Sequence, residues 1–348
     1  MLKEWIVHEE CAEGTALARE LGTSEIIGQI LWHRGICSPD AAHTFLHPED
    51  MPFHDPLLMM DMEKAALRIQ QAILHGEKIV VYGDYDVDGM TSTALLMKNI
   101  RALGGRVSCY IPNRFTEGYG INQAALQQIA ADGCSLLVSV DCGIASLQAV
   151  AEMREAMDII ITDHHLPGSA LPSAYAVINP HRVDCPYPDK ELAGVGVAFK
   201  LVQALWQMEK QRLYTDDLDI AALGTVADLV PLVGENRKIV KMGLARMSEH
   251  PCDGIAALIC ISGLEGKTIN TGMVGFQLAP RLNAAGRIET ARSGVELLRS
   301  EDRRTADRLA GELNALNTER RDLEQRILAE AEVYLTDFTP DVPAIVVA

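Results

Sequence analysis

Between residues 78 and 162 the chain alternates short apolar runs with longer segments of helical spacing. The apolar runs are IVVY, RVSCYI, LLVSV and DIIIT, at 79–82, 106–111, 136–140 and 158–162. Near-continuous apolar strands that alternate with helices predict an α/β fold, with a parallel β-sheet flanked by helices. Right-handed crossovers place the carboxyl ends of all these strands at one edge of the sheet. Polar residues that follow the strands are therefore expected to meet there.

Segments of helical spacing flank this region on both sides. Near the C-terminus, APRLNAAGRIET is predicted as a polar loop, and a long, charged amphipathic helix follows it. The last residues, VPAIVVA, are typical of a buried strand that opens a further domain. We predict five segments: an N-terminal helical and irregular extension (1–72), the catalytic α/β domain (73–235), a helical and loop region packed on it (236–300), a long connecting helix (301–336) and the start of a truncated following domain (337–348).

Composition excludes several classes of protein. With 31 basic and 48 acidic residues the formal net charge is −17, which excludes binding of nucleic acid by overall positive charge and requires any basic groove to be local. No run approaches the roughly 20 apolar residues of a membrane helix. The eight cysteines form no C-x-x-C pair, which argues against a zinc ribbon or a thioredoxin motif. We expect a cytoplasmic protein with reduced thiols and no membrane association.

Acidic residues follow three of the predicted strands. They lie in Asp84-Tyr85-Asp86-Val87-Asp88-Gly89, in Asp141-Cys142-Gly143 and in Asp163-His164-His165. Carboxylates that meet at one edge repel each other strongly, and divalent cations are the natural compensation. A mixed set of Asp and His ligands suits Mn²⁺, Fe²⁺, Mg²⁺ or Zn²⁺. Two such ions about 3.5–4 Å apart are the usual device for hydrolysing phosphate esters.

Each acidic segment, taken alone, has a simpler interpretation. D-x-D-x-D-G also begins a calcium-binding EF-hand loop, but position 12 of that loop would be Leu95 and a strand precedes it. Asp141 alone is equally well explained as a helix cap, and Asp163 alone as a loop residue. The coincidence of three acidic segments at strand ends favours a metal site.

The motifs GDYDVDG, DCG, DHH and GTVADLVPL, in this order, resemble those of the DHH phosphoesterase superfamily. A larger ordered set that includes ILWHRGI, IPNRFTEGYG, ELAGVGVAFKL and LAPRLNAAGRI spans nearly the whole chain. That set resembles the single-stranded-DNA-specific exonucleases of the superfamily. DHH alone is a weak tripeptide, whereas the ordered set is highly specific.

The resemblance implies a site with two divalent cations, Mn²⁺ or Mg²⁺. The implied metal ligands are Asp84, Asp86, Asp88, Asp141, His164 and Asp228. Asp141 is the expected bridging ligand, Asp84 is either a ligand or a residue that orients one, and Asp163 orients a neighbouring imidazole. Asp228 lies in a mostly apolar segment, where a buried carboxylate without a partner would be costly. The implied catalytic residues are Asp86, Asp88, Asp141, His164, His165 and Asp228.

Contacts to the substrate phosphates need donors. The resemblance implies His165, Arg114, Arg281 and Arg287, although His165 is equally a candidate metal ligand. Gly194 and Gly196 precede a helix, where backbone N–H groups meet an anion or where the glycines allow tight packing; the sequence leaves both open.

The implied function is a divalent-metal-dependent exonuclease on single-stranded DNA. It would work from 5′ to 3′ and release 5′-mononucleotides in DNA repair and recombination. The partners to consider are single-stranded DNA, a single-strand-binding protein and a helicase, and the protein is expected to be a monomer. The alternatives are a phosphoesterase that acts on short oligonucleotides or cyclic dinucleotides, and a non-catalytic DNA-binding scaffold.

Overall fold

A computed structural model of the chain describes residues 6–118, 120–288 and 291–335. Its central feature is a parallel sheet of five strands in the order β2-β1-β3-β4-β5. The strands are β1 (Lys78–Tyr82), β2 (Arg106–Tyr110), β3 (Leu136–Val140), β4 (Asp158–Thr162) and β5 (Ala176–Ile178). The first four lie where the apolar runs predict them, and β5 is an addition. The predicted α/β fold with a parallel sheet flanked by helices is confirmed.

The strands β1, β3 and β4 are buried on both faces, which explains why they are almost entirely apolar, whereas the edge strand β2 is partly exposed. In β1, Ile79 and Val81 pack into the larger core, whereas Val80 and Tyr82 pack into a smaller core on the opposite face. The chain runs from β1 outward to β2 on one side and then from β3 outward to β5 on the other, so the order of connection switches between β1 and β3. A crevice opens at the carboxyl edge there, which is the usual ligand-binding position in such sheets.

Helices cover both faces and extend beyond the sheet. Those that precede or connect the strands are α1 (Ala12–Glu20), α2 (Glu25–His33), α3 (Pro39–Leu46), α4 (Met62–Leu74), α5 (Val87–Ala102), α6 (Gln123–Ala131) and α7 (Leu147–Met153). Those that follow β5 are α8 (Gly194–Lys210), α9 (Leu218–Ala227), α10 (Gly234–Glu249), α11 (Asp253–Ile261), α12 (Thr271–Met273), α13 (Ala279–Ile288), α14 (Arg292–Leu298) and α15 (Arg303–Leu335).

Local sequence sets several of the helix starts. The side chains of Ser24, Ser38 and Asn122 each accept a backbone hydrogen bond at the first turn of α2, α3 and α6, as N-cap residues do. The charged segment predicted as a long helix forms α15. None of the described helices has the length and apolarity that crossing a membrane requires. The predicted strand VPAIVVA lies outside the described residues.

The polar loop predicted at APRLNAAGRIET was wrong. Its residues Ala279–Ile288 form α13, which continues from α12 through a π-helical turn at Val274–Leu278. The last two residues of the segment lie outside the described ones. Leu282 and Ala285 of α13 are fully buried. Gly286 serves close packing, because a Cβ there would lie 2.4 Å from the Tyr85 carbonyl oxygen. The helix therefore lies directly against the acidic loop after β1.

The N-terminal extension is attached to the sheet domain by buried lysines. Lys200 is fully buried and donates from Nζ to the His54 carbonyl oxygen at 2.8 Å and to Glu235 Oε1 at 3.1 Å. Glu235 also accepts from the His54 backbone N–H at 2.9 Å. Lys238 donates to the carbonyl oxygen of Glu49 at 2.8 Å. The segment before α4 therefore supplies main-chain partners to charges on α8 and α10.

Candidate metal centre

The loop after β1 brings three predicted ligands to the crevice. Asp84 is buried just beyond the strand. Asp86 caps α5, and its side chain accepts a hydrogen bond from the Gly89 backbone N–H at 2.9 Å. Asp88 lies in the first turn of α5 and is buried. One short segment thus supplies three carboxylates from a strand end and a helix start.

Asp88 is held by the first turn of α8. The backbone N–H groups of Gly194 and Val195 donate to its two carboxylate oxygens at 2.7 and 2.8 Å. A Cβ on Gly194 would lie 2.5 Å from Asp141 Oδ1, so only glycine allows the helix to approach this closely. Gly194 therefore has both of the roles that the sequence left open: it allows tight packing, and its backbone N–H meets an anion. That anion is the Asp88 carboxylate.

Asp141 follows β3 in an unusual backbone conformation. Its φ of 59° is in the left-handed region, which residues other than glycine seldom adopt. Its side chain is buried at the crevice between β1 and β3. Strain of this kind persists where the surrounding structure imposes it, and it is concentrated at functional sites.

The loop after β4 supplies both histidines and is organised by Asp163. This buried carboxylate accepts hydrogen bonds from the backbone N–H groups of Ile144 and His164, both at 2.8 Å. Its Oδ1 also lies 2.7 Å from His165 Nδ1, and this hydrogen bond raises the pKa of the His165 imidazole. Asp163 therefore makes the predicted contact to an imidazole, and it joins the loops after β3 and β4.

His164 lies among three carboxylates. Its Nε2 is 3.2 Å from Asp141 Oδ1, 3.6 Å from Asp228 Oδ2 and 3.9 Å from Asp88 Oδ2. Asp228 reaches this point because α9 ends at the preceding residue. Four elements, α5, β3, β4 and α9, thus each direct one side chain to a common position.

Three atoms at this position are buried without a hydrogen-bond partner within the described part of the chain. They are Asp141 Oδ1, His164 Nε2 and Asp228 Oδ2. Buried polar atoms are nearly always paired, so unpaired donors and acceptors this close together fit a bound cation. The oxygen and imidazole donors suit Mn²⁺ or Mg²⁺.

The carboxylates and imidazoles form overlapping groups rather than one. The ligand atoms of each group lie within 4.8 Å of one another, and the groups are Asp84–Asp86–Asp141, Asp88–His164–Asp228 and Asp141–His164–His165. Asp141 belongs to the first and third groups, and His164 to the second and third. The groups therefore adjoin one another, and Asp141 and His164 are the residues that they share.

Burial and mutual repulsion shift the pKa values of these groups. Burial raises the pKa of Asp84 to about 7, and repulsion by Asp86 adds to this effect. Desolvation also raises the pKa values of Asp88 and Asp141 well above the ordinary range and lowers that of His164. The carboxylate shifts disfavour the ionised form, which a cation at the centre of the cluster would stabilise, and the shift at His164 favours the neutral imidazole, the form that ligates a metal.

Comparison with known proteins agrees with this geometry. The model of the DHH family, N-terminal domain, matches residues 78–225. The single-stranded-DNA-specific exonuclease RecJ of Bacillus subtilis (strain 168) is 46% identical over 334 residues, which cover 96% of this chain and 42% of that protein. A crystal structure of exonuclease RecJ bound to manganese is 37% identical, with a TM-score of 0.74, and the match covers 80% of this chain and 71% of that one.

The chain belongs to the RecJ group of the DHH family. The family that the motifs indicate is thereby confirmed. A second solved RecJ, in complex with Mn²⁺ and from Thermus thermophilus, is 32% identical with a TM-score of 0.79 and covers 92% of this chain and 46% of that one. The chain spans about half the length of the curated relatives it matches. The DHH match includes the predicted ligands from Asp84 to His164 and ends before Asp228.

The RecJ resemblance also implied three arginines, which the structure places differently. Arg114 is exposed, and its guanidinium lies 5.3 Å from the centre of the Tyr85 ring, within the acidic loop. Arg281 lies on α13 and donates to Asn314 Oδ1 of α15 at 2.9 Å. Arg287 belongs to the same helix, and its side chain lies outside the described ones. Of the two arginines whose side chains are described, Arg114 is the one that lies against the acidic loop.

Sequence reasoning missed a carboxylate that holds the Arg114 loop. Glu117 accepts hydrogen bonds from the Tyr110 hydroxyl at 2.5 Å, the Asn113 backbone N–H at 2.7 Å and the Asn122 side-chain amide at 3.2 Å. These partners come from β2, the loop itself and the start of α6. The motif that contains Glu117 was recognised, but in sequence an acid in a polar loop looks like a surface residue.

Proposed function

We propose that the chain is the catalytic part of a divalent-metal-dependent exonuclease on single-stranded DNA. It would act from 5′ to 3′, hydrolyse phosphodiester bonds and release 5′-mononucleotides in DNA repair and recombination. The observation that carries the proposal is the group of unpartnered buried atoms on Asp141, His164 and Asp228, which lie 3.2–3.6 Å apart around His164 Nε2. The names of the RecJ relatives and the manganese in two solved structures support it.

The proposed ligands are Asp84, Asp86, Asp88, Asp141, His164 and Asp228, with Mn²⁺ or Mg²⁺ as the cations. Two such ions, when bound, supply an activated water and stabilise charge on the leaving oxygen. The contribution of the chain is to fix the ligands before the substrate arrives. The first turn of α8 orients Asp88, and the left-handed backbone at Asp141 directs that carboxylate between its neighbours.

We assign the substrate phosphate to His165 and Arg114. Because the hydrogen bond that the His165 ring donates to Asp163 raises the pKa of His165, the protonated ring is favoured as a donor to a phosphate oxygen. Arg114 supplies a guanidinium on a loop that Glu117 anchors, next to the acidic segment. Such contacts reach the DNA backbone and not the base edges, so they are insensitive to sequence. Contacts by Arg281 and Arg287 stay predictions.

The remaining expectations rest on the resemblance. A single-strand-binding protein and a helicase are proposed partners besides single-stranded DNA, and a cytoplasmic monomer is the proposed state. The alternative phosphoesterase on short oligonucleotides or cyclic dinucleotides uses the same centre and differs only in the substrate it accepts. The scaffold alternative is disfavoured, because a non-catalytic chain has no need of unpaired buried ligand atoms.

The test is a nuclease assay with substrates that separate these alternatives. Single-stranded DNA labelled at the 5′ or the 3′ end, the matching duplex and a dinucleotide are each incubated with Mn²⁺, with Mg²⁺ and with EDTA. We expect early release of a 5′-labelled mononucleotide from single-stranded DNA, none from the duplex, and no hydrolysis in EDTA.

Asp141→Asn and Asp132→Asn form a matched pair of variants for this assay. Asp132 is exposed just after α6, outside every segment that supplies a predicted ligand. Only the Asp141 change should abolish hydrolysis. Hydrolysis of the dinucleotide alone would favour the phosphoesterase alternative, and hydrolysis that persists in EDTA would refute the metal mechanism.

A further inference from the structure

The segment that follows β5 lies at the same edge of the sheet as the metal centre, although none of the proposed ligands belongs to it. Its sequence is Asn179-Pro180-His181-Arg182. Because β5 pairs with β4 in parallel, both strands end at this edge, and the segments that leave them are neighbours. The backbone N–H of Asp163 donates to the carbonyl oxygen of Ile178, the last residue of β5, at 3.0 Å. The segment therefore adjoins the loop that carries both histidines.

Asn179 connects these two segments from a fully buried position. Its side-chain Nδ2 donates to the carbonyl oxygen of His165 at 2.8 Å. Its Oδ1 accepts from the backbone N–H of His181, two residues further on, at 2.7 Å, which is the contact of an Asx-turn. Loss of either bond would leave a buried polar group unpaired, because water does not reach the amide. One side chain therefore fixes its own turn and the neighbouring histidine loop.

His165 stands at the start of an exposed stretch of chain. Its own side chain is 47% exposed, and Leu166 and residues 168–170 are exposed as well. Asp163 holds the first half of this residue, because its Oδ1 accepts from the His165 backbone N–H at 3.0 Å and lies 2.7 Å from Nδ1 of the ring. Asn179 holds the carbonyl group at the other end. Two buried side chains thus fix the main chain on both sides of the imidazole.

We propose that Asn179 is a positioning residue, which holds the imidazole of His165 where it meets the substrate phosphate. The inference rests on the proposed function, in which His165 donates to that phosphate. Asn179 acts through the main chain of His165 and not by contact with the phosphate. A misplacement of about 1 Å in a reacting group can cost about 100-fold in rate. We therefore expect loss of this hydrogen bond to lower kcat/KM by about 10–100-fold.

Two substitutions separate the two hydrogen bonds of Asn179. Asn179→Ala removes both. Asn179→Ser keeps a hydroxyl that accepts from the His181 N–H in the same kind of turn, but its side chain is too short to reach the His165 carbonyl oxygen. Asn99→Ala is the matched control, because Asn99 is also buried and donates to the carbonyl oxygen of Leu95 at 2.9 Å. It lies near the end of α5, whereas the ligands lie at the start of that helix.

Hydrolysis of single-stranded DNA and of the p-nitrophenyl ester of thymidine 5′-phosphate is measured with Mn²⁺, for each variant alone and combined with His165→Ala. Both Asn179 variants should lower kcat/KM by about 10–100-fold, and Asn99→Ala should leave it unchanged. In the His165→Ala background the Asn179 changes should have no further effect, because the effects of residues that act as a unit are not additive. Additive losses in the two backgrounds, or full activity in Asn179→Ser, would overturn the proposal.

Hydrogen–deuterium exchange of residues 164–170 tests the same contact without hydrolysis. Exchange there should be faster in Asn179→Ser than in the unmodified chain, and Asn99→Ala should not change it. Unchanged exchange in Asn179→Ser would overturn the proposal. The outcome is separable from that of the proposed function: faster exchange in a chain that degrades no single-stranded DNA would refute the exonuclease and still support the positioning of His165 by Asn179.

Discussion

Replacing Gly194 with alanine should displace the first turn of α8 from the metal centre. The added Cβ would lie 2.5 Å from Asp141 Oδ1 and 2.8 Å from Asp141 Cβ, distances at which atoms overlap. Either the helix or the loop that carries Asp141 must move. Because the N–H groups of Gly194 and Val195 in the same turn donate to Asp88 at 2.7 and 2.8 Å, movement of the helix would also release that carboxylate.

The expected magnitudes follow from these contacts. Overpacking of a buried position costs about 1–3 kcal/mol, so the free energy of unfolding should fall by about that amount. Loss of a group that orients a metal ligand reduces metal affinity or activity by about 10–100-fold. We expect the Mn²⁺ affinity of Gly194→Ala to fall within that range, since both Asp88 and Asp141 would be affected.

The measurement is denaturation and calorimetric titration with Mn²⁺, with Gly196→Ala as the matched control. Gly196 lies in the same turn of α8, and a Cβ there would lie 3.2 Å from Leu192 Cδ2, at the end of a side chain that is not a predicted ligand. Both changes place alanine in the same helix, so they differ mainly in the neighbour that the new methyl group meets. Gly196→Ala should keep its Mn²⁺ affinity unchanged.

Two results would refute the reasoning. Unchanged Mn²⁺ affinity in Gly194→Ala would mean that close contact between α8 and Asp141 does not set the ligand geometry. An equal loss in both variants would mean that the packing of α8 as a whole matters, and not the contact at Gly194.

Four further predictions concern the same centre. Asp141→Ala should abolish hydrolysis while the chain stays folded by circular dichroism, and activity within tenfold of the unmodified chain in Mn²⁺ would contradict the assignment. Mn²⁺ at 100 times its dissociation constant should raise the free energy of unfolding by about 2.7 kcal/mol, because it binds the folded state only. A melting temperature that is unchanged by millimolar Mn²⁺ would exclude a preformed site. Metal binding requires ionised carboxylates, and without metal the pKa of Asp84 is raised to about 7. The affinity for Mn²⁺ should therefore be lower at pH 6, where more of Asp84 is protonated, than at pH 8. Equal affinities at the two pH values would contradict this. Glu117→Ala should free the loop that carries Arg114 and raise KM for single-stranded DNA more than it lowers kcat. The control Glu155→Ala changes a side chain that is 88% exposed and should alter neither constant. A loss confined to kcat would argue against a positioning role for Glu117.

The sheet and its acidic edge were predictable because their signals are local. Strands buried on both faces must be apolar throughout, so β1, β3 and β4 stand out, and the acids that follow them must share one edge. The strand β5 has three residues, Ala176–Ile178, too few for any period to be seen. Its pairing with β4 is decided by tertiary contacts.

The helix α13, predicted as a loop, shows where local signals fail. Asn283 and Gly286 are typical of loops, which is why the segment was predicted as one. In the structure the glycine is needed because the helix lies against the Tyr85 carbonyl oxygen. A glycine that permits close approach and a glycine that ends a helix look the same in a single sequence.

In the metal centre, too, some features could be predicted from the sequence and others could not. The acids could be listed from the sequence, and Asp228 could be added because a buried carboxylate in an apolar segment needs a partner. The role of the Gly194 and Val195 N–H groups could not be derived, since it depends on α8 lying next to α5, more than a hundred residues away along the chain.

The lysines that bind the segment before α4 affect how deletion variants should be interpreted. A chain that begins after His54 would keep every proposed ligand, yet Lys200, fully buried, would lose the carbonyl oxygen it now contacts. Lys238 would lose its partner at Glu49 in the same step. Loss of activity on removing residues 1–54 is therefore expected from damage to the scaffold around α8 and α10, and would not by itself show that these residues bind DNA.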